Sequence, residues 1–163
     1  MGKKKIKMKK LLLLITIAFS LTANAQSFND DKTAFTNFLK RMYTATPFEG
    51  VKIVDDYDHQ YLLSVISLDK AKYTNPSIMN RIAQVKAQSQ ASTFLNGATI
   101  SMDMVITTSE KTSEDTTRTI IETVESIKQN SMGFTQGLEL LSNFENADSK
   151  RMVFMYYREI KKN

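Results

Sequence analysis

The hydrophobic period of this chain changes at Gly97, and the change constrains the fold more than any other feature: it calls for a long helix laid against a sheet. Upstream, Asn75-Pro76-Ser77 is a helix start, since proline is tolerated in the first turn and Asn or Ser caps its free amides. Ile82, Val85, Phe94 and Leu95 then gather near one face, with Ala83, Ala87 and Ala91 beside them at i, i+4 and i+8, which keeps that flank narrow. A helix from Pro76 to Asn96 would be roughly 30 Å long, enough to cross several strands. Gly97 is expected to close it as a C-cap with positive φ. Downstream, Ile100, Met102, Met104 and Ile106 alternate with Ser101, Asp103, Val105 and Thr107, the period of a strand with one buried face.

The flanking segments fit the same plan. Phe35, Phe38, Leu39, Met42 and Tyr43 recur at helical steps behind the acidic cap candidates Asn29-Asp30-Asp31, which predicts an N-terminal helix ending before Pro47. Val51 to Val54 and Tyr61 to Leu68 read as two strands joined by the polar turn Asp55 to Gln60. Thr107 to Thr119 has no apolar residue and reads as an exposed loop. Thr116 to Asn130 carries two competing signals: Ile120, Val124 and Ile127 have helical spacing, while its density of Thr, Ile and Val argues for strand, which we expect to prevail. Two further strands are expected over Gly133 to Phe144 and Arg151 to Ile160. The last, RMVFMYYREI, carries large apolar groups on both faces and belongs in the interior of the sheet. The fold class is therefore α+β, a long helix packed on an antiparallel sheet, with an additional N-terminal helix.

Charge has to be read in two parts. Residues 1–25 hold six lysines, an apolar run from Leu11 to Thr22, and the small-x-small site Ala23-Asn24-Ala25, the pattern of a cleavable secretory signal with cleavage before Gln26. An apolar run this short falls below the ~20 residues of a spanning helix, so membrane contact is expected only through the signal before cleavage. Of 22 Lys and Arg, six precede Gln26, and none of the 17 Asp and Glu does, leaving residues 26–163 with 16 basic and 17 acidic groups. The apparent basic character belongs to the signal, and no dense basic stripe follows it to hold nucleic acid. Residues 26–163 make one domain of ordinary size. The chain has no cysteine, hence no disulfide and no lipid attached through cysteine. The expected destination is the periplasm, the outer envelope or the medium.

Chemistry-bearing residues are few. His59 is the only histidine, so neither a two-His metal site nor a triad with a second histidine can be built. Asp55, Asp56 and Asp58 surround it, but a calcium loop starting at Asp56 would place Tyr61 where glycine is needed and Ser67 where glutamate is needed, which leaves a hairpin turn as the better reading. Glu122 and Glu125 read as a solvated pair rather than an acid/base couple. The methionines, including Met102, Met104, Met152 and Met155, read as core filling. Tyr156 and Tyr157 fall on opposite faces of their strand, so at least one of them should lie near a surface or an interface. No catalytic, cofactor or metal site is assigned from these residues.

Three resemblances add to this reading. RIAQVKAQSQASTFLNGATISMDMVI, with the Ser131-Met132-Gly133 element and two final strands split by a polar turn, resembles the LPP20-like family of bacterial envelope proteins over about residues 51–160. Many members of that family are lipoproteins, which this cysteine-free chain does not match. The glutamine after Ala-x-Ala resembles export signals of Bacteroidota, and Asp115-Thr116-Thr117 resembles their O-glycosylation acceptor, with Thr116 as the modified residue. The family resemblance implies an α+β envelope domain with no established reaction. The expectation is thus an exported, non-enzymatic domain acting on an envelope protein or small ligand, with the sheet face opposite the long helix as its contact surface. The alternative is a small-molecule pocket protein or enzyme of a cone-shaped α+β fold.

Overall fold

The structure, a computed structural model, describes residues 32–56, 59–97, 104–108, 118, 122, 124, 127 and 131–160. The expected signal-cleavage residues Ala23, Ala25 and Gln26, the expected acceptor Thr116, and Asp58, Met102 and Glu125 lie outside them. The chain divides into two compact units, Met1–Ala45 and Thr46–Asn163. In the first, residues 32–45 form the expected N-terminal helix, α1, along which Leu39 and Tyr43 are buried four residues apart.

The second unit holds β1 (Gly50–Asp56), β2 (His59–Asp69), α2 (Pro76–Gly97), β3 (Val105–Thr107), α3 (Ser131–Gln136), β4 (Glu139–Glu145) and β5 (Arg151–Ile160). The strands form one sheet in the order β3-β1-β2-β5-β4. The fold is α+β, and the sheet is antiparallel through β1, β2, β5 and β4. The short β3 joins β1 in parallel, which makes the sheet mixed. As its two apolar faces require, β5 is interior: it pairs with β2 from Gln60↔Ile160 to Asp69↔Arg151 and with β4 on its other side.

The start of α2 follows its cap. Asn75 Oδ1 accepts from the amides of Ser77 at 2.9 Å and Ile78 at 3.2 Å, and Pro76 stands where no amide is needed. Its end differs from expectation: Gly97 lies within the helix and has no left-handed φ, whereas Gly50, at φ 117°, is the glycine whose backbone requires the missing Cβ. The face of the helix is also rotated from the one expected. Met79, Ala83, Ala87, Ala91, Phe94 and Leu95 are buried, while Val85 is 64% exposed, so the alanines are the contact with the sheet and not its flank.

That contact is close enough for Ser64 Oγ on β2 to donate to the backbone carbonyl of Ala87 at 3.2 Å. The period of two then puts Gln60, Leu62, Ile66 and Leu68 on the same face as Ser64, and the register adds Ile53, Phe154, Tyr156 and Ile160. The opposite face carries Val54, Leu63, Val65, Val153 and Met155, each without exposed surface, so the face expected to dock a partner presents no open apolar patch at these positions. Tyr156 is buried toward α2, with its hydroxyl 3.4 Å from the carbonyl of Asn80, and burial raises its pKa. Tyr157 is half-buried on the other face, its ring 5.8 Å from that of Tyr61.

Two expected strands are helical in part. The described positions of Thr116 to Asn130, namely Arg118, Glu122, Val124 and Ile127, are all helical; Val124 is buried in the core and Ile127 packs against it. Burial of positions spaced by three outweighs the intrinsic preference of Thr and Ile for strands. Similarly, Gly133 to Phe144 begins with the helical turn α3, and only Glu139 onward is strand. Arg158 on β5 explains the break: its Nη1 donates to the carbonyls of Gly133, at 2.8 Å, and Phe134, and its guanidinium lies 4.6 Å over the Phe134 ring, closing the turn from outside. The alternation over Ile100 to Thr107 yields a described strand of three residues only, Val105–Thr107.

Candidate functional site

The acidic turn comes apart as a site. Asp55 is buried and accepts from Gln60 Nε2 at 3.1 Å. Asp56 instead accepts from Thr108 Oγ1 at 2.6 Å, tying β1 to the residue after β3. His59 bonds Glu159 on the neighbouring strand β5 at 2.9 Å, with both side chains more than half exposed. Asp55, Asp56 and His59 are thus spent on three separate ties between segments. No group of three metal-ligating side chains forms among the described residues. Glu122 is exposed, consistent with a solvated face. Met155 fills the core, while Met104 and Met152 pack against it. Gln60 Oε1 is buried without a hydrogen-bond partner, a cost carried at this end of the sheet.

The opposite end of the β1–β2 pair is where space opens. β1 starts at Gly50, opposite Val65, while β2 runs on to Asp69. A groove of about 600 Å³ lies at that corner, between the start of β1 and one flank of α2. Its apolar part is Val51, Ile66, Phe94 and Met104; its helical wall is Lys86, Ser89, Gln90 and Thr93; Glu49 and Ser67 complete the rim. The helix spacing explains the wall, because residues 86, 89, 90 and 93 fall on one side of α2, next to the alanine contact.

Side chains hold the corner rigid. Gln90 Nε2 donates to Ser64 Oγ at 3.0 Å and to the carbonyl of Val65 at 3.1 Å, pinning the helix wall to β2. From β5, Arg151 reaches across β2 to donate from Nε to Ser67 Oγ at 2.6 Å. Its Nη2 donates to the Ser67 carbonyl at 2.8 Å and to Glu49 Oε1 at 3.2 Å. The Val65 and Ser67 carbonyls therefore already carry donors beside the start of β1, which disfavours an added peptide strand there. Sequence reasoning missed this site because its members come from five separate segments. Only Gln90, a polar residue next to the alanine stripe, left a signal.

No family model, curated protein or solved structure matches the chain. No described helix is long and apolar enough to cross a membrane.

Proposed function

We propose that this chain is an exported domain of the bacterial cell envelope that acts by binding and not by catalysis, with the groove beside α2 as its contact site. The observation that carries the reading is the groove's lining: an apolar floor with a polar rim, held by Gln90 and Arg151, in the volume range of small-ligand sites. The signal pattern of residues 1–25 and the LPP20-like resemblance support the location and the class. The charge balance beyond Gln26 disfavours nucleic acid as the partner.

Native protein recovered from envelope fractions tests both halves. Sequencing should give an N-terminus at Gln26, and a start at Met1 would overturn the localisation. Material co-purifying with the wild type should be lost from Thr93→Trp, which fills the groove from its exposed wall. Retention by that variant would remove the groove from the reading.

A further inference from the structure

We infer that the groove takes an anionic amphiphile, a molecule with one carboxylate on an apolar body; the inference rests on the groove being the binding site. Two charged side chains among the described residues line the cavity. Glu49 already accepts from Arg151, so its negative charge is met within the protein. Lys86 is exposed on the helical wall and has no hydrogen bond or ion pair among the described residues. The described lining therefore keeps one uncompensated positive charge, beside the hydroxyls of Ser89 and Thr93 and above an apolar floor of Val51, Ile66, Phe94 and Met104.

That distribution fits an acid whose carboxylate meets Lys86 and whose hydrocarbon lies on the floor. It fits a polyanion poorly, because Lys86 is the one free cation among the described residues of the lining, and it fits a cation worse, because Lys86 repels it. A neutral hydrocarbon would gain from the floor but nothing from the ammonium. An extended peptide finds the Val65 and Ser67 carbonyls already bonded to Gln90 and Arg151.

The test is a titration of isotopically labelled protein with decanoate and with decanol, followed by the amide shifts of Val51, Ser67, Gln90 and Met104. Both ligands should shift these amides saturably, with decanoate binding about threefold tighter at low salt, as one exposed ion pair allows. Lys86→Gln should bring decanoate to the level of decanol and leave decanol unchanged. Equal binding of the two by the wild type, or a decanoate affinity indifferent to Lys86→Gln, would overturn the anion preference while keeping the groove as a ligand site. Groove amides that respond to neither ligand would remove both the preference and the small-ligand reading of the groove.

Discussion

The same helix meets the same sheet in two ways. Along Ala83, Ala87 and Ala91, α2 approaches until a β2 hydroxyl reaches its backbone; along Lys86, Gln90 and Thr93, it leaves a groove. The difference lies in side-chain length. Alanine adds almost nothing beyond Cβ, so the helix settles onto the strands, whereas the longer neighbours on its flank hold a gap where β1 stops. A contact this tight has no slack, and an open one has no packing to lose.

Four substitutions or conditions can break or sharpen that contrast. Ala87→Leu should be the most damaging, costing about 2–3 kcal/mol through overpacking and loss of the Ser64 bond, measured by urea unfolding. A cost below that of Gln90→Ala would show that the contact can yield. Gln90→Ala stands at the boundary of the two contacts, since it removes the donors to Ser64 and Val65; about 1 kcal/mol is expected, with amide exchange faster around Val65 than around Leu62. On the open side, Thr93→Leu should change stability by less than about 0.5 kcal/mol, because the added methyl groups enter the groove.

Acid should act elsewhere and least. The hydrogen bond from Lys70 holds Glu145 below the usual carboxylate range, and the backbone amide of Lys150 does the same for Asp148. Their contribution is complete above the ordinary carboxylate pKa of about 4 and is lost as pH falls through the lowered values. The amide of Lys150 should therefore shift on acidification before that of Ala87 does, and simultaneous movement would count against a local effect.

Legibility followed the range of the interactions. The cap Asn75-Pro76-Ser77, the β1–β2 hairpin and the interior place of RMVFMYYREI are set by neighbours in sequence or by a strand's own two faces, and all three were readable. Of the alternation around Ile100, Val105–Thr107 is strand as expected, while residues 100–103 lie outside the described residues. Thr116 to Asn130 went the other way, with the burial of Val124 and Ile127 overriding residue preference. The choice of alanines as the buried face could not be read from hydrophobicity, which favours Val85; it depends on how near the sheet comes. The groove was least accessible of all, since Glu49, Ser67 and Arg151 meet only after β5 is in place.

The position of β5 also sets a timetable. Residues 151–160 sit between β2 and β4, and partners such as Gln60 and Ile160 are a hundred positions apart in the chain. Until that stretch has emerged, β2 has one naked edge, β4 has no neighbour, and Arg151 cannot brace the corner. Contacts this distant in sequence form late and make the sheet an all-or-nothing event. A nascent chain of this design cannot close its sheet on residues 50–69 alone, so the stretch that is made first waits, with one strand edge unpaired, on a stretch made some eighty residues later.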